Sequence, residues 1–281
     1  PIPGRRHDGA VVHVTINREG TLVASSGEDG LVCVWDAMSG SLVGAPLVHK
    51  DRVNWAEFSP DSRSVATASN SNRLHHWRIA DGRMLAEWVQ AGDCFSVTFD
   101  PTGKRILSAG DDGTARLFSI QDGKEIASYR HEGDVVRSMI SPDGRYVATA
   151  SADFTGRILN AGTLAPIGQP LDHNNELTCL DFSPDGRLVA TGGADNRARI
   201  WSIPNGEPQG RPLVHDAAVL WVDFSRNSGR ILTCSEDGTA RVWDTLEGAP
   251  ASQKLQHGGP VIYGEFTPDG RRVLTISSDG L

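Results

Sequence analysis

Cysteine and long apolar runs are both scarce in this chain of 281 residues. Its four cysteines lie far apart, and no two of them have the CxxC spacing: Cys33, Cys94, Cys179 and Cys234. A zinc motif and a disulfide framework are therefore not visible, and the thiols suit a reducing cytoplasm. No apolar run approaches the roughly 18 residues that a membrane span needs, and the start "PIPGRRHDG" has no signal-peptide core. The sequence predicts a cytoplasmic protein without a membrane partner.

Positive charge is also in short supply. The chain has 27 Lys and Arg against 35 Asp and Glu, which gives a net charge of -8. Nucleic-acid binding relies on clustered Lys and Arg that neutralise phosphates, so no nucleic-acid partner is expected. The sequence also has no P-loop, GxSxG, HExxH or Asx-rich calcium loop. We therefore predict no catalytic residue, no metal ligand and no cofactor, and we do not expect an enzyme.

A repeat of 41 or 42 residues runs through the chain. Its marker residue is histidine, with one glutamine in the series: His7, His49, Gln90, His131, His173, His215 and His257. The units are 7–48, 49–89, 90–130, 131–172, 173–214, 215–256 and the partial unit 257–281. Self-similarity at this period predicts a repeat architecture in which each unit is one supersecondary element.

Each unit carries four short strand patterns separated by turns. The first strand ends at an aromatic residue or Ile, and a turn such as "SPDG" follows it, with Pro, Asp and Gly supplying hairpin chemistry. Alternating runs such as "RLVAT" and "ARIW" then flank a second tight turn, as in "EDG". The fourth segment, as in "GEPQGRPLV", has the prolines of an edge strand. Four antiparallel strands per unit predict an all-β fold, a seven-bladed β-propeller whose last blade is incomplete.

The chain resembles the WD-repeat β-propeller family over essentially its whole length. The dipeptide "WD" at Trp35–Asp36 and Trp243–Asp244 carries the resemblance, and weaker forms include Trp201–Ser202. The resemblance implies a single propeller over residues 1–281. The spacing of "GEPQGRPLVH" also resembles bacterial WD-repeat regions, some of which follow serine/threonine kinase or signalling-ATPase domains. That second likeness implies further domains on a longer chain, although no kinase or ATPase residues are present here.

His, Ser or Thr, Asp and Trp recur at fixed offsets within the units. Three sets are complete: His7, Ser25, Asp29 and Trp35; His173, Thr191, Asp195 and Trp201; and His215, Thr233, Asp237 and Trp243. A nucleophilic triad also combines His, Ser and Asp, but an active site is made once and this set is repeated. The resemblance implies a hydrogen-bonded structural network instead. Ser71, Gln90, Phe118 and Leu159 interrupt the pattern, so their blades should be less rigid or packed by apolar contacts.

Two further groups of side chains raise the question of a metal site. The residue before the core aromatic of the first strand is acidic in four units: Glu57, Asp181, Asp223 and Glu265. Strand alternation places them on the channel side, where they line a wet channel or, alternatively, hold a calcium ion. His75 and His76 are adjacent on a strand, so we expect one inward and one outward histidine rather than a metal site.

The resemblance implies that the face with the histidine loops and the second turns docks peptides or proteins. Its rim comprises the residue three after each marker and the residue before each turn aspartate, and the charged members are Glu28, Arg52, Asp93, Asp111, Asp134, Glu176 and Glu236. Six acids and one base among fourteen rim positions predict a Lys/Arg-containing partner. Trp55, Trp221 and Tyr263 are candidate aromatic anchors, with packing between blades as the alternative.

The expected function is a non-enzymatic protein-interaction scaffold or sensor module. A regulatory propeller of a larger bacterial signalling enzyme, such as a serine/threonine kinase, is the alternative, and a propeller enzyme is third. The last unit stops after its second strand, at "TISSDGL". We expect "PIPGRR" to patch the outer edge of that blade, and the missing third strand favours a fragment of a longer protein.

Overall fold

The computed structural model describes residues 7–279, and these residues form strands and turns without a helix. The chain divides into two compact units between Arg130 and His131. Each unit is built from consecutive antiparallel sheets, which we call blades and number along the chain. The expectation that the N-terminal "PIPGRR" patches the last blade concerns residues outside the described range.

The first unit contains blades 1 to 3, each a four-stranded sheet in sequential order. Blade 1 consists of β1 (Val11–Ile16), β2 (Leu22–Gly27), β3 (Leu31–Asp36) and β4 (Leu47–Val48). Blade 2 consists of β5 (Val53–Phe58), β6 (Ser64–Ser69), β7 (Arg73–Arg78) and β8 (Met84–Val89). Blade 3 consists of β9 (Cys94–Phe99), β10 (Arg105–Gly110), β11 (Thr114–Ser119) and β12 (Glu125–Arg130).

The second unit contains blades 4 to 6, also four-stranded, and a two-stranded blade 7. Blade 4 consists of β13 (Val135–Ile140), β14 (Tyr146–Ser151), β15 (Thr155–Asn160) and β16 (Pro166–Asp172). Blade 5 consists of β17 (Leu177–Phe182), β18 (Leu188–Gly193), β19 (Arg197–Ser202) and β20 (Glu207–Val214). Blade 6 consists of β21 (Val219–Phe224), β22 (Arg230–Ser235), β23 (Thr239–Asp244) and β24 (Leu255–Gln256). Blade 7 consists of β25 (Val261–Phe266) and β26 (Val273–Ser277).

The architecture confirms the prediction of an all-β chain of four-stranded blades with an incomplete last blade among the described residues. The fourth strand is the least regular of the four. It has eight residues in β20 but only two in β4 and β24, where single bridges such as Trp35 to Leu42 continue the pairing. Prolines do not set this length, because β16 and β20 each contain two prolines and a glycine and are the two longest fourth strands.

Local turn chemistry closes the first hairpin of each blade, as blade 5 illustrates. The Asp185 carboxylate accepts hydrogen bonds from the Ser183 hydroxyl at 2.7 Å and from the Arg187 backbone N–H at 3.1 Å. Gly186 takes a positive φ of 71°, which glycine adopts without steric cost. These bonds lie within five residues, so the hairpin is fixed before any contact with another blade is needed.

A β-bulge interrupts the first strand of every blade, and the sequence pattern did not predict it. In blade 6, Val219 pairs with Ser235 but Trp221 pairs with Cys234, so one residue of β21 is skipped. The equivalent slip occurs in all seven first strands described. A bulge changes which face of the sheet the side chains beyond it point to. Simple alternation along these strands therefore does not predict the directions of their side chains.

Consecutive blades of each unit pack through their first strands. In the first unit, β5 packs against β1 and β9, and the core between blades 2 and 3 includes the fully buried Leu74, Val97 and Ile106. Burying one such side chain stabilises the fold by about 1.5–3 kcal/mol. The middle strands are thus covered on both faces. His75 and His76 on β7 are both buried, at 6% and 7% exposure, which corrects the expectation that one of them faces outward.

Candidate interaction surface

The two ends of each blade carry different loops, because consecutive turns of an antiparallel sheet alternate between its ends. We call the end with the marker histidine and the turn between the second and third strands the upper edge. The lower edge is the opposite end, with the turn between the first and second strands and the turn between the third and fourth. These definitions hold blade by blade.

The upper edge of blade 6 is held by a chain of hydrogen bonds. Trp243 Nε1–H donates to Thr233 Oγ1 at 2.8 Å, and the Thr233 hydroxyl donates to His215 Nε2 at 2.6 Å. His215 Nδ1–H then donates to the Asp237 carboxylate at 2.9 Å. Every donor in this chain has an acceptor, so the buried polar groups are satisfied and the histidine loop is fixed to the second turn.

Blades 1 and 5 have the same arrangement. The histidine-to-aspartate distances are 3.0 Å for His7–Asp29 and 3.1 Å for His173–Asp195, and the bonds to Ser25 and Thr191 are both 2.8 Å. Trp35 and Trp201 each donate to that hydroxyl at 2.8 Å. The structure therefore brings together all twelve residues of the three sets, each within its own blade.

An arginine that the sequence reasoning missed completes two of these networks. Arg199 Nη1 lies 2.7 Å from Asp195 Oδ2, and Arg241 Nη2 lies 3.0 Å from Asp237 Oδ2. Burial would raise the pKa of Asp237, but hydrogen bonds from Thr239, the Asp216 backbone and His215 outweigh it and lower the pKa. The recurring "AR" of "ARIW" and "ARVW" was the available signal.

Blades 2, 3 and 4 replace parts of the network. His49 Nε2 accepts from Thr67 at 2.8 Å, but Ser71 stands where the aspartate would be. In blade 3, the Gln90 side-chain oxygen accepts from Ser108 and from Arg116, both at 3.0 Å. Blade 4 keeps its histidine and aspartate and buries a leucine in place of the tryptophan: His131, Asp153 and Leu159. Equivalent backbone positions in different blades therefore carry different side chains, some polar and some apolar.

The rim residues come in pairs, and one backbone hydrogen bond joins each pair. In every blade, the N–H of the residue before the turn aspartate position donates to the carbonyl of the residue three after the marker, at 2.8–3.1 Å. The pairs are Ala10 and Glu28, Arg52 and Asn70, Asp93 and Asp111, Asp134 and Ala152, Glu176 and Ala194, Ala218 and Glu236, and Pro260 and Ser278. The two loops of each upper edge therefore present their side chains from one fixed frame.

Blade 3 is the blade in which both members of the pair are acidic. Asp111 is exposed and Asp93 half-buried. Burial raises the pKa of Asp93, and the nearby carboxylates of Asp111 and Asp51 raise it further. The single basic rim residue, Arg52, lies 3.6 Å from Glu28 in an exposed ion pair. The upper edges of the first unit thus combine one neutralised pair with a concentrated group of carboxylates.

The three aromatic side chains predicted as anchors lie against neighbouring blades. Trp55 stacks on the His13 ring at a centroid distance of 3.6 Å. In the second unit, the Arg137 guanidinium lies 4.3 Å from the Trp221 ring, and the Tyr263 ring lies 4.8 Å from it on blade 7. All three are half-buried, so their faces are committed largely to packing.

Phe154 is an exposed aromatic residue that the sequence reasoning missed. It occupies the left-handed position of the second turn in blade 4, with a φ of 73°, where other blades have Gly or Asn. Its side chain is 45% exposed. A bulky residue at positive φ is strained, and such strain is concentrated at functional sites. The signal was "ADFT" in place of the usual "EDGT".

Three of the four acidic residues of the first strands bond to the next blade, and the fourth, Glu265, accepts a hydrogen bond from the Tyr263 hydroxyl at 3.0 Å. Asp181 accepts the Phe224 N–H at 2.9 Å, and Asp223 accepts the Phe266 N–H at 2.8 Å. Glu57 accepts the Phe99 N–H at 3.2 Å. Burial raises the pKa of Asp181 to about 6, and burial together with the Asp181 charge raises the pKa of Asp223 to about 8. Within residues 7–279, no three His, Cys, Asp or Glu side chains are grouped to hold a metal ion.

Comparison with known proteins identifies the repeat. The WD40 family, described as "WD domain, G-beta repeat", matches six segments: residues 4–36, 41–78, 85–119, 123–160, 166–202 and 206–244. Curated relatives named "Eukaryotic translation initiation factor 3 subunit I" include those of Neurospora crassa and Pyricularia oryzae, 32% and 33% identical over 88 residues. The one from Aspergillus niger is 27% identical over the same length. Each match covers 31% of this chain and about a quarter of the relative.

No helix within residues 7–279 combines the length and the apolar character that crossing a membrane requires.

Proposed function

Because the chain belongs to the WD40 repeat family, we propose that it is a non-enzymatic protein-interaction module that binds a Lys/Arg-containing segment at its upper edges. Its fold class is the all-β propeller of four-stranded blades. In this function, the upper edges hold charged side chains in fixed positions for binding. The His, Ser or Thr, Asp and Trp sets act as support for these positions rather than as reacting groups.

The observation that carries the proposal is the pair Asp93 and Asp111 on blade 3. The Asp111 N–H donates to the Asp93 carbonyl at 3.1 Å, so the two carboxylates are held on adjacent loops. The charge of Asp111 acts on the Asp93 carboxyl, and a Lys ammonium or Arg guanidinium placed between the two carboxylates would relieve their repulsion. Asp51 adds a third carboxylate close to Asp93. The group therefore favours a cationic side chain over a neutral or acidic one.

The second unit offers acids and one apolar contact. Asp134, Glu176 and Glu236 are exposed on the upper edges of blades 4, 5 and 6. Phe154 stands exposed on blade 4, beside the same second turn that carries Asp153. Aromatic residues are enriched among the side chains that contribute most to binding energy at protein interfaces, so an exposed one in the second unit is a candidate apolar contact. Phe154 is the side chain that we assign to that contact.

The names of the relatives support a role in a protein assembly. They are named as subunits of a translation initiation factor, and a subunit works within a larger assembly. The alternative, a regulatory propeller attached to a bacterial serine/threonine kinase, finds no counterpart in those fungal names. A cytoplasmic location and further domains on a longer chain stay predictions from the sequence.

Selection from a random peptide library tests the proposal. We expect the wild-type chain to enrich Lys- and Arg-containing peptides, and we expect the double variant Asp93→Asn/Asp111→Asn to bind the selected peptides about tenfold more weakly. Its salt dependence should also decrease, because fewer charges are then paired. Asp122→Asn, on the lower edge of the same blade, is the matched control and should leave binding unchanged. Enrichment without basic residues, or equal binding by both variants, would contradict the proposal.

A further inference from the structure

A cleft of about 530 Å³ opens on the lower edge of blade 2. Residues from the first turns of blades 1, 2 and 3 line it, together with the ends of β7 and β8, so its walls are all in the first unit. Three arginines stand at it: Arg18 from blade 1, and Arg63 and Arg78 from blade 2. Pockets of this size hold small molecules or one or two side chains of a partner.

Among the residues that line the cleft, three are arginines and one, Asp61, is acidic. All three arginines are exposed, and within residues 7–279 no carboxylate lies within ion-pair distance of the guanidinium of Arg18 or Arg63. Arg78 binds Asp81 through two bonds, Nε to Oδ1 at 2.9 Å and Nη2 to Oδ2 at 2.6 Å. Two guanidinium groups therefore line the cleft without a carboxylate of the described residues at ion-pair distance, in a chain whose net charge is -8.

The two carboxylates closest to these arginines are engaged by local donors. Asp61 accepts the Ser59 hydroxyl at 2.6 Å and the Arg63 backbone N–H at 3.1 Å. Glu19 accepts hydrogen bonds from the side chains of Asn17 and Ser62. These acids shape the turns and form no ion pair with the two guanidinium groups, although each is close enough to interact electrostatically with one of them, Glu19 with Arg18 and Asp61 with Arg63.

The remaining walls are apolar or donate hydrogen bonds. Pro60, Leu85 and Pro101 form apolar sides, and Leu85 is 47% exposed. The inner wall is the buried His76 ring, whose Nε2 lies 2.8 Å from Ser64 Oγ. Its Nδ1 has no hydrogen-bond partner among the described residues. The cleft thus combines cationic groups at its mouth with a partly apolar interior.

We propose that this cleft binds a phosphate group carried on a side chain of a partner peptide. Guanidinium groups pair with phosphate through two parallel hydrogen bonds, and a phosphate carries nearly twice the charge of a carboxylate. The apolar sides fit the residues that flank the phosphorylated one. A long polyanion such as RNA would also meet the many carboxylates of this acidic chain, so a single phosphorylated side chain is favoured.

Titration calorimetry with small probes tests the cleft directly. The probes are N-acetyl-phosphoserine methylamide, its unphosphorylated form, N-acetylglutamate, inorganic phosphate and a short single-stranded RNA. We expect saturable binding of the phosphoserine probe and none of the unphosphorylated one. Arg63→Gln should weaken that binding about tenfold, and Arg18→Gln should act in the same direction. Binding should fall with added salt.

Arg187→Gln is the matched control, because Arg187 follows the glycine of the first turn in blade 5 and lies outside the cleft. Arg63 and Arg187 are both exposed, so neither Arg63→Gln nor Arg187→Gln should alter the fold. Equal weakening by Arg63→Gln and Arg187→Gln, or no saturable phosphoserine binding, would overturn the proposal. Tighter, Arg63-dependent binding of the RNA would overturn the choice of a peptide. Equally tight binding of inorganic phosphate would also overturn it, because the apolar walls would then add nothing to the affinity.

Discussion

The marker histidines of blades 2 and 6 occupy equivalent positions in their blades, but different side chains contact them. His215 in blade 6 donates to Asp237, and Asp237 also pairs with Arg241. His49 in blade 2 has no such carboxylate, and the His75 ring lies 5.0 Å from it instead. The marker histidine of blade 6 is therefore held by charge pairing, whereas that of blade 2 contacts a hydroxyl group and two aromatic rings.

The hydrogen-bonded network therefore stabilises a blade but does not determine its fold. Blade 3 has Gln90 and Phe118 where blade 6 has histidine and tryptophan, and its four strands keep the same order. The turns and the apolar cores are common to all these blades, so they set the fold. The network then determines how each upper edge responds to mutation and to pH.

Removing the charge at the centre of the blade 6 network should have the largest effect on stability. Asp237→Asn keeps the shape of the side chain but takes the negative charge away from His215 and Arg241. We expect the free energy of unfolding at neutral pH to fall by about 3 kcal/mol, because a buried charged partner is left uncompensated. Urea denaturation followed by circular dichroism measures it.

Glu236→Gln is the control for that change, since Glu236 precedes Asp237 in the same turn and is exposed. We expect this variant to stay within about 0.5 kcal/mol of the wild type. Ser71 occupies the aspartate position of blade 2, so Ser71→Ala should also cost little. If Asp237→Asn is as mild as these two variants, charge pairing does not distinguish blade 6 from blade 2.

Acid should act on blade 2 through its paired imidazoles. Burial, together with the neighbouring His75, lowers the pKa of His49 to about 4, and burial lowers the pKa of His75 to about 4 as well. A histidine whose folded pKa is lowered binds protons more readily when unfolded. Its contribution is therefore complete above about pH 6.5 and is lost as the pH falls toward 4.

His49→Gln tests this by copying the residue that blade 3 uses. We expect the variant to lose about 2 kcal/mol less than the wild type when the free energy of unfolding is compared between pH 7 and pH 4.5. Lys50→Gln, one residue further along and exposed, should keep the wild-type slope. The same slope in His49→Gln and wild type would mean that protonation of His49 does not contribute to the acid sensitivity.

The fold could be predicted from the sequence because its determinants are local and repeated. The Asp185 turn and the alternating strands recur about every 42 residues, so each unit gives the same evidence again. The bulge before Trp221 could not be read, since it depends on how two strands pair rather than on one strand's pattern. For the same reason, both His75 and His76 proved buried: the covering of both sheet faces by neighbouring blades is a tertiary property.

The candidate surface was less accessible to sequence reasoning. The offsets placed Asp93 and Asp111 on one rim, but the bond that joins their loops appears only in the folded chain. Phe154 and the arginine cleft were missed because their significance depends on exposure and on turns from three blades meeting in one place. The spacing of charges within one repeat can be taken from the sequence, whereas a site formed by several repeats depends on how they pack and cannot.

The smallest expected effect concerns blade 3, where carboxylates repel each other instead of pairing with a histidine. Burial and the charges of Asp111 and Asp51 raise the pKa of Asp93, so its contribution to stability is lost as the pH rises through that pKa. At neutral pH, Asp93→Asn should therefore raise the free energy of unfolding by roughly 0.3 kcal/mol, a small value because solvent screens these charges. The gain should vanish as the pH falls below about 3.9, the unperturbed pKa of aspartate. A loss of stability at neutral pH would mean that the carboxylate supports blade 3 instead of being held ready for a cationic partner.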